Sequence, residues 1–279
     1  MIVANSESLP ASSGMAAADS WVALVYHDVQ PAAAPSGGGP DHFTVPLASF
    51  ECMLDAIAEA GHAGYSLATA MARPGRRRVA ITFDDGTLGQ YDYAFPALVA
   101  RGMTATFYVT IDWIGTPGFM TWDQLRDLVA SGMSVQSHTA THPFLSELGA
   151  DELRAELIAS KTALDTELGQ DTSEIAFPGG DAPASRLRFL ITEAGYQTAV
   201  GTRWGVNTDR PPMRGFVRRC TLRGEVTTER ARRIVEADPW LKLSSTAKEA
   251  TLRRIRATLG ASRYARWRRR FLDSLAGDS

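Results

Sequence analysis

The sequence predicts an α/β fold built on a parallel sheet or barrel. Short apolar runs recur along the chain, stretches with helical periodicity separate them, and glycines stand where several of these stretches end. Regular alternation of strands and helices implies right-handed βαβ units. A chain of 279 residues with 44% hydrophobic content is long enough to form one α/β barrel as a single unit.

The predicted elements alternate from the first apolar run onward. Strands are expected at residues 21–26, 79–83, 105–110, 133–136, 174–177 and 198–200. Helices are expected at residues 47–60, 93–100, 122–130, 151–168 and 185–193, and further helix from residue 228 onward. We therefore divide the chain into a flexible leader (1–20), a main α/β domain (21–227) and a basic helical extension (228–279).

Charge, cysteine content and the N-terminus narrow the class of protein. A net charge of −2 gives the molecule no electrostatic bias toward nucleic acid. Cys52 and Cys220 are too few for a disulfide framework and lack zinc-finger spacing. The first 20 residues lack a basic segment followed by an apolar stretch, so they do not resemble a signal peptide, and no window is long and apolar enough to span a membrane. These features predict a reduced, cytoplasmic protein.

The most informative segment is Phe83-Asp84-Asp85-Gly86, at the end of the predicted strand 79–83. Neighbouring side chains point to opposite sides of a strand. Asp84 and Asp85 can therefore serve two different partners, for example a metal ion and a proton. Because active sites lie at the C-terminal ends of strands in parallel sheets and barrels, we expect chemistry at this position.

Two of the five histidines stand four positions apart, at His138 and His142. Whether the segment is a helical turn or a tight loop, this spacing brings two imidazoles to one ion. The alternative is a surface histidine and a cap. The pair follows a predicted strand, as Asp84 and Asp85 do, so both groups are expected at one end of the sheet. Two histidines and one carboxylate leave a divalent ion with open positions, and the second aspartate is available as a base, which together form a hydrolytic apparatus.

These segments resemble the motifs of a known family, the polysaccharide deacetylases related to the nodulation chitooligosaccharide deacetylase (carbohydrate esterase family four). Residues 82–86 are similar to its first motif, residues 137–142 to its second, and residues 176–180 to its third, in the order of the family. The resemblance implies a distorted (β/α)7-type barrel. It also implies a metal-dependent hydrolase that removes N-acetyl groups from an amino sugar in a polysaccharide, oligosaccharide or glycan precursor.

The resemblance also implies roles for individual residues. Asp85, His138 and His142 are expected to bind the metal, usually zinc, with cobalt, nickel or manganese as alternatives. Asp84 is expected to be the general base that activates water. A backbone N–H near Gly179, together with the metal, is expected to hold the oxyanion.

The chain departs from the family pattern in the general acid. It has no histidine after His142, whereas many members carry a late histidine that protonates the leaving amine. The branch that contains the poly-N-acetylglucosamine deacetylases places an acid histidine in a Tyr-His motif of the first strand, and Tyr26-His27 resembles that motif. His27 is therefore the candidate acid, with a structural histidine at a strand end as the alternative.

Four further positions are assigned to the site by resemblance or by residue type. Gly179, next to Pro178, replaces the aromatic residue of the third motif, which removes one side-chain wall of the sugar pocket. Residues 218–224 resemble a degenerate form of a late family strand in which Arg219 pairs with Asp84 and orients it; a plain basic surface strand is the alternative. Trp204 is predicted either to stack on a sugar ring or to pack on the body of the protein.

The C-terminal segment is strongly basic. Residues 251–271 contain eight arginines and no acid, interleaved with apolar side chains at spacings of three and four, which predicts amphipathic helix. Contact with an anionic membrane surface is one interpretation, which would make the protein peripheral to the inner membrane. A helix packed on the barrel with a solvated basic face is the other. This segment is the only feature of the sequence that favours a polyanionic partner, so no nucleic-acid partner is expected.

Two other functions fit the same residues. One is a metal-dependent amidase that acts on a non-sugar amide, since the fold resemblance extends to some cyclic-imide and purine-related hydrolases. The other is a catalytically silent sugar-binding relative, against which the intact aspartate pair and histidine pair speak. Acetate release from N-acetylglucosamine oligomers would distinguish an N-deacetylase from the first alternative, and metal analysis would distinguish it from the second.

Overall fold

The computed structural model describes residues 20–31, 43–73, 75, 77–208, 216–237, 258 and 263. Within these ranges the strands are β1 Ser20–Tyr26, β2 Asp28–Gln30, β3 Thr44–Pro46, β4 Ala63–Tyr65, β5 Arg78–Phe83, β6 Thr106–Val109, β7 Ser134–Ser137, β8 Glu174–Ala176, β9 Thr198–Val200, β10 Asn207–Thr208 and β11 Cys220–Thr221. The helices are α1 Leu47–Glu59, α2 Leu67–Ala72, α3 Phe95–Val99, α4 Trp122–Ala130, α5 Ala150–Leu168, α6 Phe189–Glu193 and α7 Thr228–Val235.

A curled parallel sheet forms the centre of the molecule. Its strands follow the order β10-β1-β5-β6-β7-β8-β9, with β11 also paired to β1 and β4 to β5. All of these pairings are parallel except that of β10 with β1. The fold is a distorted (β/α) barrel, as the sequence predicts.

The segment that precedes and forms β11 joins the two sides of the curled sheet. Val217 bridges to Val200 in β9, and Cys220 pairs with Leu24 in β1. The chain between these two contacts therefore crosses from the last parallel strand to the first. Arg219 lies in this crossing segment and is fully buried.

The two faces of the sheet bury different side chains, because neighbours along a strand point in opposite directions. On the helix-covered face the large side chains pack closely, and the rings of Phe83 and Phe107 stack with centroids 4.7 Å apart. On the other face the strands carry small residues such as Ala23, Ala80 and Ala176. Small residues here leave room for larger polar side chains that approach from the strand ends.

The predicted elements are present, with differences that have physical causes. The helix predicted at 93–100 begins as a π-helical turn, Gln90–Ala94, before α3, and the helix predicted at 185–193 is divided into a 3-10 turn, Ser185–Leu187, and α6. The sequence did not predict α2 or the strands β2, β3, β4 and β10, whereas β11 lies within residues 218–224, where the family resemblance implies a late strand. These strands have two or three residues each, too few for a measurable period, and form because a partner strand lies beside them.

The division of the chain at residue 228 stays a prediction, although one part of it is now described. Helix α7 packs against α1 and places Ala231 and Ile234 in the main core. The leader except Ser20, and the segment 238–279 except Thr258 and Arg263, lie outside the described residues. Among the helices that are described, none has the length and apolarity to cross a membrane.

Candidate active site

Candidate site residues stand at the C-terminal ends of four strands of the sheet. Asp84 follows β5, His138 follows β7, His27 follows β1 and Pro178 begins just beyond β8. Since these strands are parallel, their C-terminal ends share one edge. The strand ends β1 and β5 are tied together, because the Gln90 side-chain amide donates to the carbonyl oxygens of both His27 (2.7 Å) and Asp84 (2.5 Å).

Asp85, His138 and His142 form a compact group of possible metal ligands. Their donor atoms all lie within 4.8 Å of one another. Asp85 Oδ1 is 3.3 Å from His138 Nε2 and 3.4 Å from His142 Nε2. The other nitrogen of His138, Nδ1, bonds to the Ala176 carbonyl at 2.9 Å, which fixes the ring and points Nε2 at Asp85. Two imidazole nitrogens and one carboxylate oxygen around one point are a donor set that suits a divalent ion such as zinc.

The backbone around this group is held in an uncommon conformation. Asp85, Thr139 and His142 have positive φ angles of 78°, 72° and 64°. Each such residue costs on the order of 1–2 kcal/mol relative to an ordinary conformation, and residues of this kind cluster at functional sites. Gly86 follows at φ 83°, where a Cβ atom would lie 3.0 Å from the Val109 side chain, so glycine is required there.

Glu156 on α5 holds the histidine loop in place. Its carboxylate accepts hydrogen bonds from the backbone N–H of Ala140 (2.9 Å), from the backbone N–H of Thr141 (3.0 Å) and from the Thr141 hydroxyl (2.7 Å). These contacts stabilise the loop between the two histidines. The sequence analysis did not identify Glu156, because its only signal was one acid on the charged face of a helix.

Asp84 is paired with Arg219. The guanidinium donates in bidentate fashion, from Nη1 to Oδ1 at 2.6 Å and from Nη2 to Oδ2 at 2.7 Å. Both side chains are almost completely buried, with exposures of 0% for Arg219 and 2% for Asp84. Arg219 is itself fixed by donation to the Gly201 carbonyl and to the Thr82 hydroxyl. The structure therefore brings together the two residues that the family alignment paired.

The two aspartates are ionised for different reasons. Burial acts to raise the pKa of Asp84, but the positive charge of Arg219, with a contribution from His138, lowers this pKa overall. Burial also acts to raise the pKa of Asp85, but hydrogen bonds from His138 and His142 hold it well below its ordinary value. One carboxylate is thus stabilised by a fixed cation and the other by two potential metal ligands.

His27 lies beside the aspartate pair but is not protonated at neutral pH. Burial lowers its pKa to about 4, although the charges of Asp85 and Asp84 act in the opposite direction. Its ring packs on Phe43 with centroids 4.4 Å apart. Its Nδ1 atom is buried and has no hydrogen-bond partner among the described residues. A general-acid role for His27 requires that the ring gain a proton before it donates one.

A second buried acid lies behind Arg219. Tyr108 on β6 donates its hydroxyl to the Glu174 carboxylate on β8 at 2.6 Å, and the Arg219 guanidinium lies over the Tyr108 ring, 5.4 Å from its centroid. Burial raises the pKa of Glu174 to about 7. The sequence showed Glu174 as the start of a strand and gave no reason to place it under the site.

The remaining predicted residues are placed as follows. Pro178 and Gly179 form a tight turn directly after β8, with Gly179 at φ 58°. The half-buried Trp204 side chain packs against the main core and its indole N–H contacts the Cys220 sulfur, and its stacking on a sugar stays a prediction. Two aromatic residues that were not selected from sequence contact other residues of the site: Trp113 contacts the His142 ring, and Phe144 lies beside Gly179.

Comparison with known proteins finds similarity to the family whose motifs the sequence resembles. Residues 72–199 match the family model for polysaccharide deacetylase. The chain is 29% identical over 188 residues to YxkH of Bacillus subtilis, whose name assigns it to the polysaccharide deacetylases; the match covers 65% of this chain and 64% of that protein. The chain therefore spans about two-thirds of the length of this relative.

Solved structures show the same fold. The deacetylase PplD of Streptococcus pyogenes, in complex with acetate, superposes with a TM-score of 0.67 at 23% identity, over 77% of this chain and 98% of that one. IcaB from Ammonifex degensii superposes with a TM-score of 0.62 at 24% identity, over 82% of this chain and 97% of that one. At these identities the likeness establishes the fold, and the chemistry rests on the residues of the site.

Proposed function

We propose that the chain is a metal-dependent hydrolase that removes N-acetyl groups from an amino sugar of a glycan, and the match of residues 72–199 to the polysaccharide deacetylase family model supports this proposal. The observation that carries the proposal is that the adjacent residues Asp84 and Asp85 contact different partners. Asp85 faces two imidazoles, whereas Asp84, the next residue, faces a buried guanidinium. A hydrolytic site of this class needs one carboxylate as a metal ligand and another as a base.

The donor set of Asp85, His138 and His142 fits a divalent ion, most simply zinc. Such an ion, when bound, supplies Lewis-acid chemistry that polarises the acetyl carbonyl and activates water. The histidines must be neutral to act as ligands, so protons compete with the ion for them. Zinc is proposed over cobalt, nickel or manganese because two nitrogens and one oxygen with open positions are typical of catalytic zinc.

The proton transfers are assigned to residues of the chain. Asp84 Oδ takes the proton of the attacking water as the oxygen bonds to the acetyl carbon. Arg219 keeps Asp84 ionised and fixes both of its oxygens, so the base is oriented before substrate arrives. The Gly179 backbone N–H is proposed to stabilise the oxyanion. The proton that Asp84 has taken from water is proposed to pass to His27, which then donates a proton to the leaving nitrogen as the C–N bond breaks. Acetate is released, and Asp84 and His27 return to their starting protonation states.

Metal content and turnover test the assignment together. Asp85→Ala, His138→Ala and His142→Ala are expected to lose both bound zinc and acetate release from N-acetylglucosamine oligomers. Asp84→Asn is expected to retain zinc and lose turnover, because an amide cannot take the proton of water. Zinc bound normally by all three alanine variants would remove the metal assignment, and acetate release retained by Asp84→Asn would remove the base.

An amidase that acts on a non-sugar amide is the second candidate, and the same aspartate and histidine groups support it. Acetate-release rates for N-acetylated saccharides and for simple N-alkyl acetamides separate the two. A silent sugar-binding relative is disfavoured by the complete set of Asp84, Asp85, His138 and His142.

Location and membrane contact remain predictions from sequence alone. We propose a cytoplasmic protein that acts on a glycan precursor. Contact of residues 251–271 with anionic membrane is a separate hypothesis, tested by liposome binding with and without residues 251–279; equal binding by both forms would remove it.

A further inference from the structure

The aromatic ring of Phe144 lies next to Gly179, a residue that has no side chain of its own. A Cβ atom built on Gly179 would lie 3.0 Å from Cε1 and 3.8 Å from Cδ1 of Phe144. The edge of the Phe144 ring therefore fills the space into which a side chain at position 179 would project. Phe144 comes from a different element, the segment that follows His142.

The position of Phe144 is fixed by the loops on both sides of the site. The backbone N–H of Ser146 donates to the buried carboxylate of Asp181 at 2.7 Å, which joins the segment after His142 to the turn that contains Gly179. The N–H of Glu147 donates to the Phe144 carbonyl at 3.0 Å and closes a 3-10 turn. Phe144 is half-buried, so part of the residue remains open to solvent beside Gly179.

A second aromatic side chain lies against His142. The centroid of Trp113 is 4.6 Å from that of His142, with an interplanar angle of 33°. Phe119 supports Trp113 at a centroid distance of 5.0 Å. The backbone N–H of Asp112 bonds to the Ala140 carbonyl at 3.0 Å, so the Trp113 loop is attached to the histidine loop. Trp113 is also half-buried.

From these contacts we infer that Phe144 and Trp113 bind the pyranose ring that carries the acetamido group. This inference rests on the proposed function and identifies the residues that hold its substrate. Half-exposed aromatic rings at a site are suited to the apolar C–H faces of a sugar and to an acetyl methyl group. Trp204, the aromatic residue selected from sequence, has its indole N–H occupied by Cys220 and its ring against the core.

The two rings differ in what they contact. Phe144 lies beside the proposed oxyanion donor, Gly179, so it would border the acetyl group and the ring that bears it. Trp113 packs against the His142 ring, so it would border a sugar that reaches the metal-ligand group. Substitution of either residue should weaken saccharide binding and leave the donor atoms of Asp85, His138 and His142 in place.

The test measures binding of β-1,4- and β-1,6-linked N-acetylglucosamine pentamers by calorimetry to zinc-loaded Asp84→Asn protein, in which turnover is blocked. Phe144→Ala and Trp113→Ala added to this background are expected to raise Kd roughly tenfold, the size of one well-placed aromatic contact. Phe144→Leu, which keeps bulk without an aromatic face, should give a smaller rise. Phe189→Ala, at a phenylalanine of α6 that is 59% exposed, is the matched control and should leave Kd within twofold.

Zinc content and acetate release are measured on the same substitutions in the wild-type background. Pentamer binding that is unchanged by Phe144→Ala, or absent from the parent protein, would overturn the inference. If the wild-type enzyme nevertheless releases acetate, the proposed function stands and only the inference about Phe144 and Trp113 fails. If Phe144→Ala weakens binding while the wild-type enzyme releases no acetate from any pentamer, the inference stands and the proposed function fails.

Discussion

At the residue scale, the surroundings of two adjacent aspartates separate their chemistry. Asp85 shares a point with two imidazole nitrogens, and Asp84 is locked to both Nη atoms of Arg219. The alternation of side chains along a strand end makes this separation possible, because neighbours face different partners. If the two aspartates stood two positions apart along the strand, their side chains would point to the same side and would compete for the same partner.

His27 is predicted to matter only where the leaving group needs a proton. His27→Asn should slow release of acetate from an N-acetyl amino sugar by roughly 10²–10⁴-fold, the usual contribution of general acid–base catalysis. Hydrolysis of p-nitrophenyl acetate should slow far less, because the nitrophenolate leaves without protonation. Rates for both substrates at pH 7 make the comparison, and equal losses on the two would show that His27 acts by packing on Phe43 instead.

Arg219 is predicted to stabilise the fold and to set the ionisation of the base. Arg219→Ala leaves the Asp84 carboxylate buried without its cation and should lower the free energy of unfolding by about 3–5 kcal/mol. Arg219→Lys keeps the charge and loses the bidentate geometry. Because Arg219 lowers the pKa of Asp84, the acid limb of the pH–rate profile should move to higher pH in the lysine variant.

Urea unfolding and a pH–rate profile measure these two effects. Arg218→Ala, at the exposed neighbouring position, is the matched control. Unfolding free energies that agree for Arg218→Ala and Arg219→Ala would show that the buried pair does not stabilise the protein.

Sequence reasoning found the residues with distinctive chemistry and missed those that support them. Asp84, Asp85, His138 and His142 were recognisable because motif and strand end coincide. Glu156 and Phe144 were not, because their roles depend on loop conformations with positive φ at Thr139 and His142, which local sequence does not specify.

At the element scale, a side-chain hydrogen bond connects strands β6 and β8 beneath the site. β7 lies between them in the sheet, yet Tyr108 and Glu174 meet across it through a hydrogen bond of 2.6 Å. The small residues on this face of the sheet leave the space that these two side chains and Arg219 occupy. Together these side chains form a buried polar layer beneath Asp84, the proposed base.

Glu174 is predicted to make stability depend on pH. Its folded pKa of about 7 lies above the ordinary 4.5, because burial disfavours the charged form. As pH rises, the unfolded chain loses this proton first, so the free energy of unfolding falls between about pH 4.5 and 7, by up to about 3 kcal/mol, and then levels off. Glu174→Gln removes this component and still accepts from Tyr108.

Urea unfolding of both proteins at pH 5 and pH 8 measures this effect. The variant should gain stability relative to wild type between the two pH values, whereas Glu59→Gln at an exposed position of α1 should not. A difference between wild type and Glu174→Gln that is the same at both pH values would show that Glu174 ionises freely in the fold.

The long helices were predictable, and most of the two- and three-residue strands were not. Helices α4 and α5 follow the sequence periodicity nearly residue for residue, and α4 is delimited by a capping box in which Thr121 and Gln124 exchange hydrogen bonds. By contrast, β11 has two residues, and it forms because the crossing segment must bridge β9 to β1.

At the scale of the whole molecule, closure of the curled sheet and construction of the site depend on one segment. The chain that joins β9 to β1 also delivers Arg219 to Asp84, so the site is complete only when the two sides of the sheet are connected. The fold class was predictable from the alternation of strands and helices. The closure was not, because it depends on contacts between residues about 200 positions apart.

The most direct test of the account is the stoichiometry of the reaction. Zinc-loaded wild-type protein, incubated with N-acetylglucosamine oligomers, should release acetate and an equal amount of free amine. Asp84→Asn with the same zinc content should release neither at a measurable rate. Acetate and amine from the wild type alone are the predicted result; no acetate from any N-acetylated saccharide, or equal release by Asp84→Asn, would contradict it.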